Sequence, residues 1–341
     1  MKKIPASRLN ELLLAISGEQ DVYVPQELNN TVSFAKWEDG KTARLDVLKT
    51  NRSPKDLFFP QVEDIARFKL EGKKIKVIEG VPEDKRFVLF GVRACDARSF
   101  HILDTVFLSE PIDPNYKRRR ENGTVVSLAC SRPSETCFCA SFGIDAGDPE
   151  GDVSAWLSGD DLYWRANTEK GNELTNLVSN LLEDCDEAAV NEEKEKLKKI
   201  FSLLPLSNLD LSSFTPDRMM EIFNSKSWEP LSRSCVGCGT CTFVCPTCQC
   251  YDIRDFDCGG EICRFRCWDS CMYSDFTKMA SGNPRKTQVE RFRQRFMHKL
   301  VYHPANHDGE YSCVGCGRCL EKCPVSMNIA KVARVLGEEA K

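Results

Sequence analysis

Two cysteine-rich stretches near the C-terminus carry the residues with the clearest chemistry. Each follows the pattern C-x2-C-x2-C-x3-C-P, first at residues 235–246 and again at 313–324. That spacing is typical of [4Fe–4S] clusters, in which closely spaced thiolates bind three irons and a more distant cysteine binds the fourth. Such clusters exchange electrons, so the repeated motif predicts an electron-transfer protein.

Eight cysteines fall into two sets, because in two-cluster ferredoxins the fourth cysteine of each motif binds the other cluster. The first cysteine set is Cys235, Cys238, Cys241 and Cys323. The second cysteine set is Cys313, Cys316, Cys319 and Cys245. Zinc sites or disulfide knots are the alternatives, but two complete motifs, each ending in proline, favour iron–sulfur clusters.

The composition limits the class of protein and its compartment. The chain has 341 residues, enough for two or three domains, and its 19 cysteines are clustered and odd in number, which is untypical of a secreted disulfide scaffold. A net charge of -4, from 47 basic and 51 acidic residues, gives no general attraction to nucleic acid. No apolar run is long enough for a secretory signal or a bilayer span. We therefore expect a cytoplasmic protein without direct membrane insertion.

A third group of cysteines lies in a stretch with α/β character. Residues 87–92 and 124–129 are continuous apolar runs, which indicates strands buried on both faces of a parallel sheet. Because ligand sites collect beyond the carboxyl ends of such strands, the cysteines that follow them are expected to share one crevice. This third cysteine set is Cys95, Cys130, Cys137 and Cys139. It predicts an additional iron–sulfur site, against the alternative that the four are small core residues.

Helix and linker patterns divide the chain at about residue 215. Residues 205–215 are rich in turn formers, and Thr215-Pro216 is a helix-entry pattern. We therefore predict an α/β N-terminal domain, 1–214, and a C-terminal α-helical ferredoxin-like dicluster domain, 215–341. Within the first, short strands are expected at 22–24, 32–37 and 43–47.

The segment between the two motifs, residues 246–312, has two further features. An apolar stripe at helical spacing, Val289 to Leu300, predicts a helix, with Arg295 and Lys299 on an outer basic face that is either solvated or docks an acidic partner. Additional cysteines also lie in this segment, and an iron–sulfur cluster, a zinc site or buried thiols could explain them. The candidate ligands of a further site are Cys248, Cys250, Cys267 and Cys271.

Several stretches resemble the 4Fe–4S dicluster subunits of cytoplasmic redox complexes. This family includes sulfhydrogenase beta subunits, the related iron–sulfur subunit of anaerobic sulfite reductase, and that of flavin oxidoreductases that serve heterodisulfide reductase. The resemblance runs from residue 53 to the C-terminus, while Cys258, Cys263 and Cys267 depart from the family pattern. The matching stretches are SPKDLFFPQ (53–61), FGVRACDAR (90–98), LACSRPSETCFC (128–139), CVGCGTCTFVCPTCQC (235–250), WDSC (268–271), RQRFMHKLVY (293–302) and CVGCGRC (313–319).

The cysteine sets predict two [4Fe–4S] clusters and one or two more, and the resemblance implies a protein that carries electrons between two other subunits. Its partners would be a flavin-containing subunit that oxidises NAD(P)H and a redox partner subunit such as a hydrogenase, sulfite reductase or heterodisulfide reductase. The residues agree, since the chain has no G-x-G-x-x-G after a strand, no P-loop and no H-E-x-x-H for catalysis of its own. A catalytic reductase that uses an N-terminal cluster and a structural zinc module are the other hypotheses.

Overall fold

The computed structural model describes residues 1–72, 74–78, 85–257 and 259–339. The strands are β1 (Lys2–Pro5), β2 (Asp21–Leu28), β3 (Thr31–Lys36), β4 (Val62–Glu71), β5 (Lys74–Ile78), β6 (Phe87–Val92), β7 (Gly123–Leu128), β8 (Val153–Ser158), β9 (Asp161–Ala166), β10 (Glu183–Asp184), β11 (Tyr251–Asp257) and β12 (Glu261–Trp268). No helix in these ranges has the length and apolar character that crossing a membrane requires.

The helices flank the sheet in the first half of the chain and dominate the last third. They are α1 (Leu9–Ser17), α2 (Ala94–Phe107), α3 (Pro114–Asn122), α4 (Glu169–Leu177), α5 (Ala188–Ser202), α6 (Met219–Phe223), α7 (Trp228–Ser232), α8 (Thr240–Phe243), α9 (Gln288–Met297), α10 (His303–Asn306), α11 (Arg318–Glu321) and α12 (Ile329–Glu339). A π-helical turn, His298–Tyr302, continues α9. The helix expected across residues 289–300 is therefore present.

An eight-stranded mixed sheet forms the centre of the N-terminal region, in the order β10-β1-β9-β8-β7-β6-β2-β3. The four strands β2, β6, β7 and β8 pair in parallel, and the outer pairs are antiparallel. The prediction of buried parallel strands near residues 87–92 and 124–129 is confirmed, since β6 and β7 are buried along their whole length. The sheet brings the ends of β6 and β7 to one edge.

Two apolar cores lie on the opposite faces of this sheet. Along β6, Val88 and Phe90 pack with α1 and α4, whereas Phe87 and Leu89 pack with α2 and α3. The alternation is broken at Gly91, whose φ of 89° accompanies a register shift against β7. A Cβ at Gly91 would lie 2.7 Å from the Leu45 side chain, so this position favours glycine.

The strand expected at residues 43–47 is absent, and that prediction was wrong. In this segment, backbone carbonyl groups accept hydrogen bonds from a side chain and not from a neighbouring strand. Arg93 donates to the oxygens of Leu45 and Val47 at 2.7 and 2.9 Å. The same guanidinium donates to Ala129 O at 2.7 Å, directly after β7. Alternating apolar residues in this segment therefore pack on the core without forming a ladder.

A second sheet combines strands from both halves of the sequence. It is antiparallel, in the order β11-β12-β4-β5, and β12 pairs with β4 along almost its whole length. At its base, Arg266 donates through Nε to Glu63 at 2.7 Å, and both side chains are buried. The domain division at residue 215 remains a prediction, but strands from both predicted domains share this sheet.

A buried ion pair also joins the two halves. Arg318, at the start of α11, makes a bidentate contact with Asp96 of α2 at 2.6 and 2.7 Å, and the two side chains are only 1% and 2% exposed. Its Nε donates to Thr50 O at 3.1 Å. Removing one partner of such a pair leaves the other charge buried and uncompensated, which is costly.

We therefore expect Asp96→Asn to lower the free energy of unfolding by about 3–5 kcal/mol. The control is Asp255→Asn, which breaks a contact of 2.7 Å with Arg264 whose side chains are about half exposed, and it should cost no more than about 1 kcal/mol. Anaerobic urea denaturation followed by tryptophan fluorescence measures both. Equal, small losses in the two variants would show that the buried pair does not hold the halves together.

Candidate metal centres

The first cysteine set lies around one cavity. Its four predicted members come from the loop before α8, from α8 itself and from the loop after α11. Apolar side chains from α9 and neighbouring loops form part of the wall, while Val236 and Cys238 are exposed, so the cavity reaches the surface on that side. The lining residues include Cys235, Cys238, Cys241, Cys323, Met272, Phe292, Phe296, Pro324 and Met327. The structure thus brings together the crossed set that the sequence predicted.

The two motifs adopt the same local conformation. In each, the two glycines have positive φ, at 67° and 73° for Gly237 and Gly239 and at 57° and 79° for Gly315 and Gly317. A helical turn follows at once, α8 in the first copy and α11 in the second. Such backbone is accessible to glycine at little cost, which explains why the motif repeats its glycines with its cysteines.

In the second cysteine set, Cys245 and Cys316 are buried and the other two cysteines, Cys313 and Cys319, are partly buried. The thiols of Cys313, Cys316 and Cys319 each interact electrostatically with Cys245, as expected for one group drawn from both motifs. Burial raises the pKa of Cys316 to about 12, while the guanidinium of Arg318 opposes that shift. Burial therefore favours the protonated thiol at Cys316. At Cys245 the pKa is instead lowered, chiefly by a hydrogen bond with Cys248 and also by the Lys299 ammonium, which outweigh burial.

The third cysteine set forms where the α/β pattern placed it. Cys95 lies in the first turn of α2, directly after β6, and Cys130 follows β7, the parallel neighbour of β6. Cys139 interacts electrostatically with Cys130 and Cys137, so the following loop does bring its two cysteines to the same edge. Burial raises the pKa of Cys130 to about 11 against the lowering effect of Arg93.

The third set is adjacent to the second. Gly315 O accepts a hydrogen bond from Phe138 N at 2.9 Å. A Cβ at Gly315 would lie 2.4 Å from Phe138 O, and one at Gly317 would lie 2.4 Å from Thr136 O. The second motif therefore packs directly on the loop that holds Cys137 and Cys139. Cys316 also interacts electrostatically with Cys139, which places the two sets side by side.

The predicted spacer site is only partly assembled. Cys250 and Cys271 are within hydrogen-bonding contact of each other, and Cys271 also interacts with Cys248. Cys267 is not among their neighbours: it lies on β12, and the side chains that act on it are Arg254, Asp252 and Asp269. Cys263, on the same strand, has its sulfur 3.8 Å from Asp64 Oδ2. Cys258 lies outside the described residues.

Comparisons with known proteins give one match to the C-terminal region and one to almost the whole chain. Residues 234–327 match the family model described as a 4Fe–4S dicluster domain. Sulfhydrogenase 2 subunit beta of Pyrococcus furiosus is 35% identical over 320 residues, which cover 91% of this chain and 90% of that protein. The chain belongs to the sulfhydrogenase beta subunit family. It is accordingly an iron–sulfur protein of electron transport with two [4Fe–4S] clusters.

Among the residues that the structure describes, no group of three His, Cys, Asp or Glu side chains is placed to hold one metal ion. A cube has a different requirement, since its four thiolates bind four separate irons.

Three buried cations lie among the cysteines of this family member. Lys55, Arg295 and Lys299 are 2%, 3% and 3% exposed. Their side chains contact neutral oxygens, namely Cys248 O, Cys241 O, Thr247 Oγ1 and Ser312 O. No ion pair with a carboxylate is found for them in the part of the chain that the structure describes, and Arg295 Nε is buried without a hydrogen-bond partner.

A buried cation without an anion is unfavourable, so these three stay charged only beside negative charge from the cysteines. Burial lowers the pKa of Lys55, although Cys248 and Cys245 oppose that shift. Burial alone would lower the pKa of Lys299, but Cys245, Cys248 and Cys313 raise it overall. Burial likewise lowers the pKa of Arg295, but Cys241 and Cys319 raise it overall. The donor set and its counter-charges thus fit anionic iron–sulfur clusters, whose thiolates supply the missing charge.

The sequence analysis placed Arg295 and Lys299 on an outer basic face of α9, and that prediction was wrong. Both are buried, because α9 is covered on two sides: by α7 and α12 on its apolar stripe, and by the cysteine motifs on the other. The i, i+4 spacing places Arg291, Arg295 and Lys299 on one face of the helix. That spacing was the available indication that this face, too, is packed against other parts of the protein.

We expect Lys299→Met to lower the reduction potential of one cluster. Losing a buried positive charge beside Cys245 and Cys313 should disfavour the reduced state by about 1–2 kcal/mol. That corresponds to about 40–90 mV for one electron. An EPR-monitored redox titration measures the shift, with exposed Lys286→Met as the control. Unchanged potentials in Lys299→Met would contradict a role as counter-charge.

Proposed function

We propose that this chain is the electron-transfer subunit of a cytoplasmic multi-subunit oxidoreductase. It would relay electrons between a flavin-containing subunit that oxidises NAD(P)H and a redox partner subunit of hydrogenase, sulfite reductase or heterodisulfide reductase type. Family membership supports a role within a larger complex, because the relative in Pyrococcus furiosus is itself named as a subunit.

The observation that carries the proposal is the contiguity of the three cysteine sets. Cys241 of the first set interacts electrostatically with Cys319 of the second. Cys316 of the second set interacts with Cys95 and Cys139 of the third. Because the third set adjoins the second and the second adjoins the first, the three sites would provide a path for electrons from the edge of the large sheet to the C-terminal helices. When bound, iron–sulfur clusters supply one-electron transfer along such a path.

The proposed ligands are the three complete cysteine sets, one for each of three [4Fe–4S] clusters. The protein's own contribution is to hold the thiolates at separate corners, to exclude water with apolar walls and to provide buried counter-charge. For the C-terminal region we propose an α-helical ferredoxin type, supported by the packing of α7, α9 and α12 around the motifs. Residues 1–214 and 215–341 are the proposed domains.

Cys139→Ala tests the third set in the full-length chain. Because four thiolates bind one cube, the variant should lose about four iron atoms and retain the rest. Cys185→Ala is the matched control, since Cys185 is half-buried but far from these sets in the fold, beside the N-terminus. Iron and acid-labile sulfide per chain after anaerobic reconstitution give the result. A full iron content in Cys139→Ala would contradict the proposal that the third cysteine set binds a cluster.

Dependence on a flavoprotein is a separate prediction. The isolated, cluster-loaded chain should keep its visible absorbance when NAD(P)H is added anaerobically, because a hydride must first be split into single electrons by a flavin. Bleaching should begin once an NAD(P)H-oxidising flavoprotein purified with the native complex is supplied. Rapid bleaching of the chain alone would favour the alternative of a catalytic reductase.

A further inference from the structure

Three cysteines outside the three sets meet at the junction of two distant segments. Cys248 and Cys250 follow the first motif, and Cys271 lies in the turn after β12. Cys250 and Cys271 are in contact, with Cys248 next to Cys271. Backbone and side-chain hydrogen bonds fix the segments together: Asp269 N donates to Cys250 O at 2.9 Å, and Thr242 Oγ1 to Ser270 Oγ at 2.8 Å.

Strand geometry keeps Cys267 out of this group. Successive side chains of β12 point to opposite faces, and Trp268 faces the body of the protein with 8% exposure. Cys267 therefore faces the other way, between its cross-strand neighbours Asp252 and Val62, of which Val62 is 60% exposed. Among the residues that the structure describes, the group consists of three cysteines.

A buried cation faces the same three cysteines. Lys55 Nζ donates to Cys248 O at 2.7 Å and lies 3.9 Å from the centre of the Trp268 ring. Its side chain is 2% exposed, and it has no carboxylate partner among the described ranges of the chain. Gln249 Oε1, between the first two cysteines, is buried without a hydrogen-bond partner. The uncompensated Lys55 ammonium indicates that an anionic group belongs here, whereas the Gln249 oxygen is an acceptor and requires a donor instead of an anion.

We propose that Cys248, Cys250 and Cys271 hold a further iron–sulfur cluster, a cube with three protein thiolates. Cys245 adjoins Cys248 but already serves as the fourth thiolate of the second set. The fourth iron of the new cube consequently has no cysteine, and it takes a small soft anion, a thiolate or sulfide, from solution. Lys55 supplies the counter-charge that offsets the anionic cube.

Paired substitutions test the ligand set in the full-length chain. After anaerobic reconstitution, Cys250→Ser should hold about four iron atoms fewer than the unchanged protein. Cys267→Ser, a half-buried cysteine of the same segment, should hold as many as the unchanged protein. Iron retained in Cys250→Ser, or an equal loss in Cys267→Ser, would overturn the three-cysteine site. Because the third set is intact in both variants, this result is independent of the Cys139→Ala experiment.

The unchanged protein provides a second readout that does not depend on the folding of a variant. A cube with one iron lacking a cysteine loses that iron on mild oxidation, so brief ferricyanide treatment should produce the EPR signal of a [3Fe–4S] cluster. β-Mercaptoethanol added beforehand should reduce the signal by occupying the free iron. The signal should persist in Cys139→Ala. Its absence from the oxidised, fully loaded protein would contradict an iron without cysteine.

Discussion

The structure depends on a balance between buried positive charge and cysteine thiolates. Lys55, Arg295 and Lys299 are almost fully buried and donate to neutral oxygens, and no carboxylate pairs with them in the part of the chain that the structure describes. Such charges are tolerated only beside an anion, and the nearest acidic groups are the cysteines of the motifs. The C-terminal fold and its clusters are thus mutually dependent, as is usual where metal binding contributes to folding. In the absence of iron, the same cations would weaken the core.

The second motif has a double role that its sequence does not reveal. Its cysteines belong to a cluster site of the dicluster domain, while its glycines allow close contact with the loop at residues 136–139. Arg318, within the same motif, forms the buried pair with Asp96 beside Cys95. A short stretch therefore positions two cysteine sets relative to one another, and the distance between them is fixed by backbone contact and not by flexible side chains.

Much of the site could be predicted from sequence, because cluster motifs are local. The spacing of the cysteines predicted the group around the first cavity, and the buried strands β6 and β7 predicted that Cys95 and Cys130 would meet. The rest depends on contacts between remote segments. Helical periodicity could show which face of α9 is apolar, but not that Arg295 and Lys299 would be covered by the motifs. Likewise, Tyr251–Asp257 is a strand only because β12 and β4 extend it into a sheet, and residues 43–47 failed to form one because Arg93 occupies their carbonyl groups.

The sheet shared by β4, β5, β11 and β12 has a consequence for the order of events during synthesis. The hairpin β4–β5 emerges from the ribosome well before β12, its partner on the other side, is translated. Until then β4 has a free edge, and the hairpin carries apolar side chains that are exposed even in the finished protein, Leu70 on β4 and Ile75 and Val77 on β5. Free apolar edges promote association between incomplete chains. The nascent protein thus passes through an interval in which this hairpin needs protection, and the interval ends when Glu261–Trp268 pairs with it.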